Sequence, residues 1–260
     1  MNQKLQIKGL WVPLVTPFYE GNFDGESLVN LIKKIEPDVD GFVPCLSSGE
    51  GNKMGNELWE KVLKTVSENT TKPIAVGILR DTIEEMTFLS QIAKHYGCIA
   101  ITLPLQGEND SEQQRFCKEI SDKSALPIIL YNTEKIHISD PEVLIDISKN
   151  ENILALKDSS QNKEFFSGAI KIKREGKINI SILQGMENQL LESVGCDGYL
   201  ISLANAEPRL CKEMLDSPSG ELNGKIMEHW NEYDLAADNW YVGIKKVLAF
   251  RGIIKSAELI

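Results

Sequence analysis

Ile153-Leu154-Ala155-Leu156-Lys157-Asp158-Ser159-Ser160 sets four apolar residues directly before a lysine and a small polar turn directly after it. An unbroken apolar run of this length suits a strand covered on both faces, as the parallel strands of α/β folds are. A lysine ending such a strand stands on the side where α/β proteins bind ligands. Apolar surroundings disfavour an ammonium and leave more free amine to attack a carbonyl. The same residues also allow a plainer arrangement, a strand-end lysine that stretches its stem to water.

Outward from this stretch, strands and helices alternate without a break. Toward the amino terminus lie a helix over Pro141 to Ser148, opened by Ser139-Asp140-Pro141, and a strand over Pro127 to Asn132. Before these come a helix over Ser111 to Ser121, a strand over Cys98 to Leu103, a helix over Thr82 to Tyr96 and a strand over Pro73 to Leu79. A helix over Asn56 to Ser67 follows a strand over Asp40 to Leu46 and the turn Ser47-Ser48-Gly49-Glu50-Gly51. The first strand runs from Gly9 to Phe18 with its end at Thr16-Pro17, and Leu28, Leu31, Ile32 and Ile35 mark a helix closed by Pro37. Toward the carboxy terminus come a helix over Lys163 to Arg174, a strand over Ile178 to Leu183 and a short helix over Glu187 to Val194. A strand over Gly198 to Ser202 and a helix over Pro208 to Leu215 complete the series.

About eight such units with short connections predict an α/β fold, a (β/α)8 TIM barrel over residues 1–217. A doubly wound sheet competes, but neither G-x-G-x-x-G nor a phosphate-binding P-loop is present. After Pro218-Ser219-Gly220, the residues Trp230, Tyr233, Leu235, Trp240, Ile244, Val247 and Leu248 predict a carboxy-terminal helical appendix over 218–260.

The chain has 260 residues, 42% of them hydrophobic, enough to bury a sizeable core. A formal net charge of -10 with no offsetting basic run argues against a nucleic acid or an anionic membrane as partner. No apolar segment approaches the roughly 20 residues that span a bilayer. The amino-terminal MNQKLQIKGLWVPLV has no long apolar core with a small-residue cleavage site, so no secretory leader is expected. Five scattered cysteines without a CxxC pair support neither a disulfide framework nor zinc, and point to reduced thiols in the cytoplasm.

In a barrel, the carboxy ends of the strands share one mouth. Thr16, Ser47, Ser48, Leu79-Arg80, Pro104-Leu105, Tyr131-Asn132, Lys157, Gln184-Gly185 and Ser202 fall there. One lysine, one tyrosine and paired hydroxyls suit imine chemistry on a small keto acid: the lysine attacks the ketone, the tyrosine moves protons and the hydroxyls hold the carboxylate. Each also has a structural reading. Tyr131 can be a packed ring, the serines a turn with a helix cap, Asp158 a capping residue and Arg80 a solvated arginine. His95, His137 and His229 do not cluster, and no metal is assigned.

GLWVPLVTPF, the serine turn SSGE, Tyr131-Asn132, LKDSS around Lys157 and GYLISLANAEP occur in an order and spacing that resembles the dihydrodipicolinate synthase and N-acetylneuraminate lyase family of Schiff-base barrels. The resemblance covers nearly the whole chain. It implies a lyase or aldolase that makes or cleaves a carbon–carbon bond to pyruvate, in which Lys157 forms the imine and Tyr131 with Ser47 relays protons. Ser48 binds the pyruvate carboxylate, Thr16 and Leu200 lie close to substrate, and no cofactor is needed because the imine supplies the electrophile. It also implies a homo-oligomer, dimer or tetramer.

Departures from the family pattern concentrate away from the lysine. Leu46 stands where glycine is usual, and Tyr131-Asn132 is followed by Thr133-Glu134-Lys135 in place of a proline and an arginine. Pro104-Leu105-Gln106-Gly107 brings no tyrosine, the acidic pair after strand 7 reads Gly185-Met186-Glu187-Asn188, and the appendix looks short. The imine half is therefore expected intact and the acceptor half remodelled. The competing expectation is a non-catalytic barrel that binds a keto acid or sugar acid.

Overall fold

The computed structural model describes residues 5–260. The expectation of no amino-terminal leader rests partly on residues 1–4, outside the described residues. Eight parallel strands form the barrel: β1 (Gly9–Val12), β2 (Gly41–Phe42), β3 (Ala75–Gly77), β4 (Ala100–Pro104), β5 (Ile128–Asn132), β6 (Ile153–Asp158), β7 (Ser181–Gln184) and β8 (Gly198–Leu200). In the sheet β1 lies between β2 and β8, and β7, β6, β5, β4 and β3 follow in turn. A parallel bridge between Phe42 and Ile74 joins β2 to the β3 side, so the ring nearly closes.

Helices α1 (Gly25–Ile35), α2 (Asn56–Glu68), α3 (Ile83–His95), α4 (Asp110–Lys123), α5 (Val143–Ile147), α6 (Lys163–Arg174) and α7 (Pro208–Asp216) connect or follow the strands. Their starts follow local chemistry. Asp24, Thr82, Asn109 and Asn162 each accept a backbone N–H of the first turn of α1, α3, α4 and α6. The carboxy-terminal segment forms α8 (Gly220–Glu232) and α9 (Tyr241–Phe250). Trp230, Ile244 and Leu248 on these helices are buried in the same apolar layer that lies between the sheet and its helices.

A second, smaller apolar layer fills the ring itself, with Trp11, Val43, Leu46, Tyr131, Leu154, Ala155, Leu183 and Leu200 among its members. No helix among the described residues is long and apolar enough to cross a membrane.

Several expected elements differ in length. The first strand stops at Val12 because Pro13 has no N–H to continue the ladder; Phe18–Tyr19 and Asn22–Phe23 instead pair as a small antiparallel hairpin. Thr16 thus lies beyond the strand. The second strand shortens to two residues ahead of Pro44 and of Cys45, whose φ is 60°. The short helix over Glu187 to Val194 is two 3-10 turns, Glu187–Gln189 and Leu191–Ser193, where the Ser193 hydroxyl donates to the Gln189 carbonyl at 2.6 Å.

Candidate active site

Lys157 points into the barrel interior from just past a bulge at which β6 carries one residue more than its partner. Ile128 of β5 pairs with Ile153 and Ile129 pairs with Ala155, so Leu154 is the additional residue of a bulge. Ile153 and Leu156 pack in the outer layer, whereas Leu154 and Ala155 both pack inside. Past the bulge β6 follows the alternation of β5, whose Ile129 and Tyr131 face inward, and so Lys157 turns inward. Its register partner is Tyr131, which the interior layer also holds. The lysine Nζ lies 4.0 Å from the centre of the Tyr131 ring, within cation–π range. Lys157 is 5% exposed.

Gly185 leaves the space the lysine stem occupies. A Cβ built there meets Ser159 Oγ at 2.2 Å, Lys157 Cε at 2.7 Å and the Asp158 carbonyl oxygen at 2.8 Å. Glu187, two residues on, is also buried and accepts the Leu203 N–H at 2.9 Å. Burial pushes its carboxyl above the usual range, opposed by the N–H of Leu203 and by the charge on Lys157.

Asp158 does not cap a helix. It accepts from Asn132 Nδ2 at 3.1 Å and the Ser160 N–H at 3.4 Å, which ties β6 to β5; Asn162 caps α6 instead. Arg80 is half-buried and tied down rather than free in solvent. Its guanidinium donates to the carbonyls of Gly51, Leu79 and Met54 and to Asn56 Oδ1, and so braces the loop after the serine turn.

Ser47 and Ser48 form a single 3-10 turn with Gly49. Two non-glycine residues with positive φ flank it, Cys45 at 60° and Glu50 at 59°. Thr16 donates its hydroxyl hydrogen to the Gly49 carbonyl at 2.8 Å, and a Cβ on Gly49 would come within 2.7 Å of the Leu14 carbonyl oxygen. Thr16 therefore fixes this turn against the loop after β1. The buried Glu50 carboxylate accepts Lys245 Nζ at 2.5 Å, Lys53 Nζ at 3.0 Å and the Ile260 N–H at 3.1 Å. Those contacts tie α9 and the last residue to the serine turn.

Ser48 Oγ lies 2.7 Å from Ser202 Oγ, and Trp240 Nε1 donates to Ser202 Oγ at 3.0 Å and to Ser48 Oγ at 3.4 Å. Leu200, at the end of β8, is fully buried in the interior layer with Leu46 and Tyr131. The geometry thus joins Lys157 to Tyr131 and, separately, Ser48 to Ser202 and Trp240. Among the described residues, no group of three or more His, Cys, Asp or Glu side chains could hold a metal ion. Burial pushes the Cys98 and Cys117 thiols up to about 12, so neither supplies a thiolate near neutral pH.

The model of the dihydrodipicolinate synthetase family matches residues 6–259. The chain belongs to that family. A 4-hydroxy-tetrahydrodipicolinate synthase from Geobacter metallireducens is 29% identical over 218 residues, which cover 81% of this chain and 75% of that protein. The enzyme of that name from Thermodesulfovibrio yellowstonii is 27% identical over 264 residues, 95% of this chain and 89% of that protein. Among solved structures, a prophage protein of the dihydrodipicolinic acid synthase family from E. coli K12, in complex with pyruvate, superposes with a TM-score of 0.88 at 20% identity. That superposition covers 97% of this chain and 91% of the other, and it shows the shared barrel.

The residues that sequence reasoning did not bring into the site are Trp240 and the Glu50–Lys245 pair. Trp240 carried only the signal of an apolar residue in a helical segment, because its partner Ser48 lies 192 positions away.

Proposed function

We propose that this chain is a lyase of aldolase type that makes or cleaves a carbon–carbon bond to pyruvate through an imine on Lys157. The observation that carries this reading is the buried amine inside the barrel mouth, 4.0 Å from the Tyr131 ring centre. The Lys157 amine adds to C2 of the 2-oxo acid, and loss of water leaves the imine. Removal of a C3 proton then gives the enamine, whose C3 attacks an aldehyde carbon; the reverse sequence releases pyruvate. Tyr131 with Ser47 moves the protons, Ser48 holds the carboxylate, and Thr16 and Leu200 shape the pocket around it.

The names of the curated relatives and the pyruvate complex of the E. coli protein support pyruvate as the donor. The acceptor is an aldehyde, and its half of the site is altered. Leu46 fills interior space, Leu105 is buried, and Gln106 donates to the carbonyls of Arg80 and Asp81. A buried lysine held against a tyrosine suits catalysis better than passive binding. We place the protein in the cytoplasm as a dimer or tetramer, on the family resemblance and on its five free cysteines.

Borohydride added with pyruvate tests the reading. A reduced pyruvate adduct on Lys157, absent in Lys157→Ala, is the expected result. No adduct on the folded parent chain rejects it. A panel of 2-oxo-3-deoxy sugar acids, sialic acid and aspartate semialdehyde, assayed for pyruvate release or consumption, identifies the acceptor.

A further inference from the structure

The Ser48, Ser202 and Trp240 cluster has one hydrogen-bond donor too many. Each serine hydroxyl carries one hydrogen. One of the two is spent across the 2.7 Å contact between the oxygens, whichever donates. The indole N–H fills acceptor positions on both oxygens. The second hydroxyl hydrogen is left over, and among the described residues no side chain or carbonyl accepts it. Ser48 and Ser202 are 3% and 8% exposed. An unspent donor at that depth calls for an acceptor on a ligand.

The cluster also adjoins the nucleophile's surroundings. Ser202 precedes Leu203, whose N–H donates to Glu187, two residues past the Gly185 against which the Lys157 stem packs. Trp240 is held there from the carboxy-terminal segment. It opens α9, and Lys245 on that helix makes the buried pair with Glu50, two residues past Ser48.

We propose that Trp240 is a positioning residue for the carboxylate of the 2-oxo substrate, and that Ser202 shares in binding that carboxylate. The indole N–H and the partner hydroxyl together fill both acceptor positions of the receiving serine, so that oxygen turns only its hydrogen toward the ligand. The carboxy-terminal helices thereby set the affinity of the barrel for an anionic keto acid over a neutral one. This inference rests on the imine reading above.

Borohydride trapping on Lys157, titrated with pyruvate and with methyl pyruvate, separates the two. Trp240→Phe keeps an aromatic ring and removes the N–H; Ser202→Ala removes the shared hydroxyl, and Ser202→Thr retains one. The half-saturating concentration of pyruvate is expected to rise roughly tenfold in Trp240→Phe and Ser202→Ala, the loss of about one charge-assisted hydrogen bond. That of methyl pyruvate, which lacks the charge, should change by under about twofold on the same reasoning, and Ser202→Thr should restore the parent preference. Equal weakening for both ligands, or no change for pyruvate, overturns the proposal. Should Trp240→Phe fail to fold, the Ser202 pair decides alone. Absence of trapping in the parent chain rejects the imine reading and this inference together, whereas trapping with unchanged preference in the variants rejects this inference only.

Discussion

Tyr131 and Lys157 are register partners on adjacent parallel strands, and the lysine nitrogen sits over the face of the tyrosine ring at 4.0 Å. On the proposed imine mechanism the ring and its hydroxyl do separable things, one packing against the imine nitrogen and the other moving protons. Tyr131→Phe keeps the ring and should lower turnover by roughly a hundredfold or more while borohydride still traps pyruvate. Tyr131→Ala should impair trapping as well. Turnover in Tyr131→Phe within about twofold of the parent would exclude the proton-relay role.

Gly185→Ala should disable the site without touching any reacting group. The new methyl would lie 2.7 Å from Lys157 Cε and 2.8 Å from a backbone oxygen, so the lysine stem or strand β7 must shift. A stability loss of about 1–3 kcal/mol in urea melts is expected, with adduct formation slowed at least about tenfold. Parent-like trapping would show that the lysine does not need this channel.

Glu187→Gln should change how stability depends on pH. Burial raises the Glu187 carboxyl in the folded chain above its ordinary 4.5. Between 4.5 and that higher value the folded state holds a proton that the unfolded state has lost, so stability falls as pH rises through the window. Glutamine cannot titrate. The melting temperature of the variant minus that of the parent should therefore increase as pH is raised from 4.5 toward neutrality. A constant difference across that range would remove Glu187 from the account.

Lys245→Met should be costly. The ammonium and the Glu50 carboxylate are both fully buried, and removing the lysine leaves the carboxylate with only Lys53, whose side chain is 38% exposed, as counter-charge. A loss of about 3–5 kcal/mol is expected in denaturant melts, with Lys245→Met/Glu50→Gln recovering part of it. A double variant no better than the single one would mean that the Glu50 contacts with Lys53 and the Ile260 N–H outweigh the pair.

The strand–helix alternation was legible because parallel strands buried on both faces leave unbroken apolar runs, and the helices carry their own caps. Lys157, Tyr131 and the serine turn were legible because each ends or follows such a run. Strand lengths were not, since Pro13 and Pro44 cut ladders that the apolar residues alone extend. Arg80 looked solvated because its acceptors are backbone carbonyls, which carry no side-chain signature. Trp240 and Lys245 were illegible as mouth residues because their partners lie near the other end of the chain, at 192 and 195 positions' separation.

The bulge at Leu154 absorbs one residue of β6 without moving the amine. Deleting Leu154 would return β6 to strict two-residue periodicity with Lys157 still opposite Tyr131, whereas deleting Leu156, past the bulge, would send the amine toward the helices with Lys157, Tyr131 and both serines all still present. A related chain one residue shorter past the bulge could keep all of these side chains and yet have no amine in its cavity. Counting residues between Ala155 and Lys157 is therefore as informative about activity as finding the lysine itself.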